Sequence, residues 1–367
     1  MGSDVPYEVT VAYLPGPPIP GVPRSGVVNV PANGPSANAL FLLDTDAYTL
    51  QLNGGSGTVI TGDGNDTIAS AGNFAIRTGI GNDVIFAYGD NTVAAGGSLG
   101  YATHTSLVAN GSNIIVSGNG NDTIAMSGIS DVVFGSGYGT DTINGGSGYA
   151  EIAPGSQNIN FVGGLGATTV FAGTGSDTVS LGNDGGLVFG GTAGHNNLTG
   201  GGALSGGGST QSSTLFGGGN GDLLTARGYG QTTLVANGNA TLTGAASTAN
   251  NIFYGLVGNA SLQGGNGADT FVVGGSTVPG GVSDTVNGGP GQDLISILAG
   301  GTGSNITITS FTGAERVTLQ GYAGGSATEA ARALATAQVG VSTVLTLSDN
   351  TRITFVGITN LTSSSFV

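Results

Sequence analysis

Apolar and polar positions alternate along this chain in short bursts rather than long stretches. Runs such as Thr58-Val-Ile60, Val84-Ile-Phe86, Asn113-Ile-Ile-Val116, Val132-Val-Phe134, Thr169-Val-Phe171, Leu187-Val-Phe189, Ile252-Phe-Tyr254 and Thr270-Phe-Val-Val273 are rich in β-branched and aromatic residues. They are too short for helices and read as brief strands. Glycine clusters separate them. Short strands between tight glycine turns, repeated from about Asn53 onward, predict a solenoid in which each coil stacks on the one before.

The two ends read differently. Tyr7 to Leu14 alternates like a strand, and Pro15-Gly-Pro-Pro-Ile-Pro-Gly-Val-Pro23 follows as an extended linker, because proline fixes φ and removes donors. That strand either packs back on its own domain or pairs with another chain. Near the other end, Ser326-Ala-Thr-Glu329 reads as a capping box opening a helix over Ala330 to Gln338, with Gly340 at its stop. Val344 to Leu347, a Ser348-Asp-Asn turn and Thr351 to Val356 read as a hairpin. The predicted class is all-β: a parallel β-roll or β-solenoid with glycine-rich turns, plus one short C-terminal helix and hairpin. Residues 1–35 form the arm and linker, 36–300 the solenoid and 301–367 the C-terminal cap.

Composition narrows the function. Glycine supplies 74 of 367 residues, and charged residues only 7%. The six basic residues are all arginine, 17 of the 21 acidic ones are aspartate, and the net charge is −15. Such a chain lacks the basic footprint of a nucleic-acid binder. Without cysteine it has no disulfide framework, thiolate zinc site or thiol nucleophile. The irregular glycine spacing excludes collagen, and an apolar share of 38% argues against disorder. No stretch reaches the roughly 20 apolar residues of a membrane span, and the N-terminus has no ordinary secretory leader.

The candidate chemistry lies in a Gly-x-Gly-x-Asp pattern that occurs seven times. Its glycines and aspartates are Gly62, Gly64 and Asp66; Gly79, Gly81 and Asp83; Gly118, Gly120 and Asp122; and Gly137, Gly139 and Asp141. Three further copies end at Asp177, Asp269 and Asp293. Random order at this composition gives about one match. Asp66 to Asp83 is 17 residues, Asp122 to Asp141 is 19 and Asp141 to Asp177 is 36, near one and two multiples of 18. That period returns the chain to the same edge, so consecutive aspartates stack about 4.8 Å apart. Carboxylates that close repel, and six arginines cannot neutralise them. A hard cation with oxygen ligands can, which points to Ca2+. For an isolated match the plainer reading is a tight turn, since glycine and aspartate both favour one.

These segments resemble the Gly-Gly-x-Gly-x-Asp-x-U-x nonapeptides of RTX (repeats-in-toxin) proteins, with Gly264-Gly-Asn-Gly-Ala-Asp-Thr-Phe-Val272 the fullest match. The resemblance implies a parallel β-roll with calcium held in the turns by aspartates and glycine carbonyls. It also implies export from a Gram-negative bacterium by type I secretion machinery reading an uncleaved C-terminal signal, here Leu347 to Val367. The pattern departs from the family between Asp177 and Asp269, where Gly219-Asn-Gly-Asp222 is one residue short. Asp131, Asp184 and Asp284 lack the full glycines.

Catalysis is not expected. Gly96-Gly-Ser98-Leu-Gly100 fits a nucleophile elbow without its strand–turn–helix context, and His104 follows it without a partner in view. The expected role is a secreted, calcium-binding structural protein that folds outside the cell. It would self-assemble as a homo-oligomer or polymer into a surface layer, fibre or biofilm matrix. Sheet edges are usually protected by lysine, and this chain has none. The alternative is a monomeric extracellular adhesin or ligand-binding RTX module, including one for glycans or ice. That role wants a regular outward face, and Thr67, Thr123, Thr142 and Thr178 read as turn exits rather than a ladder.

Overall fold

A computed structural model describes residues 26–30, 38–42 and 47–367, except 53–55, 63, 80, 89–90, 95–103, 111, 118–119, 128–129, 136–138, 156–157, 193, 203–210 and 278–279. The arm at Tyr7 to Leu14, its proline linker, the Gly96 to Gly100 segment, Gly118 and Gly137 lie outside the described residues. The chain separates into two compact units, Met1–Gly175 and Ser176–Val367.

In the first unit, successive strands alternate between two sheets, and each pairs in parallel with the strand two further along. This is the predicted all-β parallel solenoid. Its pairing begins at Gly26–Val30, which lies beside Tyr48–Leu52. The register is set by one inward apolar residue per strand. In one sheet Leu50, Ile68, Ile85, Leu107, Ile124, Ile143 and Phe161 form a continuous buried column. In the other, Val59, Ile76, Val93, Ile115, Val133, Ile152 and Val170 face them. Each buried side chain contributes about 1.5–3 kcal/mol. A one-residue slip would turn a strand's whole apolar set to solvent.

The second unit repeats the plan. Val179, Leu198, Leu224, Leu242, Leu262, Val286, Ile308 and Phe355 form one buried column. In the facing column, Phe253 and Phe271 stack at 4.8 Å between centroids. The last coil is closed differently. Arg352–Phe355 runs parallel to Asn305–Ile308 and antiparallel to Thr343–Thr346, giving the expected hairpin. The helix spans Gly325–Ala335, earlier than Ala330 to Gln338. The capping box does not form. Gly324 in the left-handed region precedes the helix without a side-chain cap. Ser326 Oγ instead accepts the Leu319 amide, and Glu329 turns to Arg332 and the Ser348 amide. No helix among the described residues is long and apolar enough to cross a membrane.

The outward threonines fall into register rows of mixed composition, with serine, asparagine, valine and leucine between them. In the first unit Thr49, Thr67, Val84, Ser106, Thr123, Thr142 and Asn160 share one register position. In the second unit the same position runs Thr178, Asn197, Leu223, Thr241, Ser261, Thr285, Thr307 and Thr354. The turn-exit reading missed this because a strand begins at or next to each threonine, and its pleat points alternate residues outward.

Candidate metal centre

All seven motif aspartates are buried, each at most 2% exposed. They sit where the chain turns a corner into a strand, two residues before the inward aliphatic or phenyl group, as in Asp66-Thr-Ile68 and Asp269-Thr-Phe271. That position aims the carboxylate along the coil stack rather than toward solvent. The Asp66 amide donates to Asp83 Oδ1 at 3.0 Å, the Asp122 amide to Asp141 Oδ1 at 3.1 Å and the Asp269 amide to Asp293 Oδ1 at 2.8 Å. The expected pairs Asp66/Asp83 and Asp122/Asp141 are therefore brought together, and Asp269/Asp293 makes a third. The first five motif aspartates serve one sheet, and Asp269 and Asp293 the other.

At four corners an asparagine completes a reciprocal clasp with the next coil. Asn65 Oδ1 accepts the Asn82 amide at 2.9 Å, in the direction opposite to the Asp66–Asp83 bond. Asn121 with Thr140, Asn250 with Ala268 and Asn259 with Ser283 repeat it at 2.8, 2.8 and 2.9 Å. Each corner is thus pinned to its neighbour in both directions. These are backbone donors that would otherwise be orphaned in a turn.

The same inner slot is filled at places the glycine pattern did not find. Asn91, Asn113, Asp131, Asn196, Asp222, Asn251 and Asp284 each accept a backbone amide from the preceding coil. Their signal is Asp or Asn two positions before an inward apolar residue, without the full glycine pattern, as in Asn113-Ile-Ile115 and Asn251-Ile-Phe253. Asp184 is exposed and outside this ladder. Because Asn and Asp alternate in one slot, as in Asp177–Asn196–Asp222, the slot's common requirement is an acceptor oxygen, not a charge.

The glycines explain how corners approach so closely. A Cβ on Gly81 would lie 2.0 Å from the Gly64 carbonyl oxygen. At Gly139, whose φ is +133°, it would lie 1.7 Å from that of Gly120. Gly62 and Gly79 lie at the same corners.

The second carboxylate oxygen separates the sites. Asp269 Oδ2 accepts the Gly265 amide, Asp222 Oδ2 accepts those of Gly218 and Gly219, and Asp141 Oδ2 accepts the Ser117 hydroxyl. Asp293 Oδ2 is buried without a hydrogen-bond partner, whereas the Asp83 and Asp284 carboxylates also meet the Thr78 hydroxyl and the Gly274 amide. Burial pushes Asp83 up to about 6, opposed by the Asp66 amide and the Thr78 hydroxyl and reinforced by the Asp66 charge. Burial likewise pushes Asp293 up to about 6, with the Asp269 and Glu315 charges adding to it, and Asp284 to about 7. Asp141 and Asp269 are also raised by burial. No three Asp, Glu or His side chains gather at one point among the described residues. A calcium ion here would therefore draw most of its oxygens from turn carbonyls. Asp269/Asp293 fits that demand best, joining two like charges and one orphaned oxygen, and Asp66/Asp83 joins two like charges beside the Thr78 hydroxyl. Asp122/Asp141 fits less well because Ser117 occupies Oδ2. Neither a protein-family model nor a curated protein matches the sequence.

Proposed function

We propose that this chain is an RTX-like structural solenoid whose coil clasps tighten on binding Ca2+. It is exported through type I secretion machinery by its C-terminal segment, and it associates outside the cell with copies of itself into a layer, fibre or matrix. One observation carries the reading: carboxylates stack in buried pairs, Asp66 with Asp83 and Asp269 with Asp293, and Asp293 keeps an orphaned oxygen. A buried unpaired oxygen costs about 1–3 kcal/mol, more when charged. A divalent cation removes that cost and the mutual repulsion together. At low cytosolic calcium the penalty favours an open chain suited to export, and at extracellular calcium it reverses. The proposed role is mechanical rather than catalytic.

Circular dichroism and electron microscopy of the full chain, in EGTA and in millimolar calcium, test this. The expected result is a gain of β-signal and ordered sheets or filaments on calcium addition. A chain equally β-structured and equally monomeric in both buffers overturns it. The outward hydroxyl ranks favour a second reading, an adhesin, which would leave monomers that hold a surface.

A further inference from the structure

We propose that the second unit carries a binding trough for a linear, uncharged polysaccharide. This goes beyond the calcium-dependent assembly above and does not depend on it. An open cavity of about 390 Å³ runs along the corner of one sheet, across consecutive coils. Its polar walls are Asn239 and Thr241 on one coil, Asn259 and Ser261 on the next, and Ser283 and Thr285 on a third, all exposed. The strands that carry them are in register, Thr241 beside Ser261 and Ser261 beside Thr285. A pair of polar groups therefore recurs about every 4.8 Å along the stack, an amide with a hydroxyl on the first two coils and two hydroxyls on the third.

The amides in this trough are oriented before any ligand arrives. Asn239 Oδ1 accepts the Asn259 amide at 2.7 Å, and Asn259 Oδ1 accepts the Ser283 amide at 2.9 Å. With the oxygen pinned to the neighbouring coil, each side-chain NH2 is left to donate outward. Two fixed NH2 donors, on Asn239 and Asn259, thus lie beside a row of hydroxyls, which both donate and accept. Asp222, also at the trough, is buried, and its oxygens are spent on Asn196, Gly218 and Gly219. No cation lines the cavity, and the chain carries −15.

The matching ligand offers hydroxyl and ring oxygens at a regular repeat, carries no charge and lies along the stack. That describes a neutral pyranose chain. An acidic glycan would meet no counter-charge and a negative molecule. Hydrogen bonds fixed on the protein side also spare the ligand much of the ordering cost.

Isothermal titration of the full chain with neutral hexasaccharides (cello-, xylo-, manno- and laminari-linked), with a mannuronate hexamer as the charged control, tests the proposal. At least one neutral oligomer should bind and the mannuronate should not. The double variant Asn239→Asp/Asn259→Asp keeps both pinned oxygens, as the inner ladder already uses Asp in place of Asn, but loses the NH2 donors. Binding should weaken about tenfold or more, with the circular dichroism spectrum unchanged. Thr241→Val/Thr285→Val, which removes hydroxyls and leaves the amides, should weaken it as well. Lack of binding by every neutral hexamer, tighter binding of mannuronate, or an unchanged Kd in both folded variants overturns the proposal. Assembly under calcium is scored in the same samples, so a failure of polymerisation and a failure of sugar binding are read separately.

Discussion

An aspartate in this solenoid is read twice, once by each oxygen. Oδ1 serves the neighbouring coil, a task asparagine performs equally at Asn91, Asn113, Asn196 and Asn251. Oδ2 decides whether the charge is tolerated. The raised values at Asp83, Asp284 and Asp293 mean that the folded chain holds protons more tightly than the unfolded chain. Their contribution to stability is fully present below about pH 4 and is lost as pH rises through about 6–7. In chelator, the midpoint of thermal unfolding should therefore fall between pH 4.5 and 7.5, and saturating calcium should flatten that slope. A flat profile in chelator would mean that these carboxylates are paired in the folded chain. The sequence announced the stacked aspartates through their spacing. It hid their neutral substitutes, because an Asn before Ile or Leu looks like any strand residue until the register shows which amide it meets.

At the scale of the element, a strand here is three to eight residues that gain order from both neighbours. The inward columns were legible because β-branched and aromatic runs mark them, and every short run named above lies in a strand. The corners were legible only as glycine-rich. Their function is close approach, as where Gly173 faces Gly155 and Gly139 faces Gly120. Gly139→Ala places a Cβ against a backbone carbonyl and strains a positive φ, so it should cost about 2 kcal/mol or more. Gly340→Ala, with open space around it, should cost a few tenths of a kcal/mol at most. Urea unfolding of the two variants provides the comparison, and equal losses would refute the packing account. The capping box failed as a reading because Ser326 and Glu329 had better partners in three dimensions than the helix start offered.

At the scale of the whole molecule, a stack of coils is as secure as its last rung. In the second unit that rung is covered by the helix and hairpin, tied by Glu329 to Arg332 at 2.6 Å and to the Ser348 amide. Arg332 holds the Glu329 carboxyl below its ordinary value. Asp349 adds bonds from Gly300, Tyr322 and Thr351. Glu329→Ala leaves the Ser348 amide unpaired and the Arg332 guanidinium with only the Thr346 carbonyl, and should cost about 1–3 kcal/mol locally. Hydrogen exchange should then speed up in the helix and hairpin while the coils before Gly300 stay protected. Light scattering should rise as the Asn305–Ile308 edge is exposed. Uniform loss of protection along the unit would show that the cap and coils unfold together.

The clasps join residues 17, 19, 24 or 26 positions apart in sequence with the same bond each time. Insertions and deletions are therefore absorbed in the corners, while the rungs keep count by contact rather than by length. Lineages carrying such a chain could duplicate or discard whole coils without relearning how to fold. The feature held constant by inheritance would be the Asp- or Asn-x-apolar beat, beneath loops free to drift beyond the reach of any fixed-period repeat.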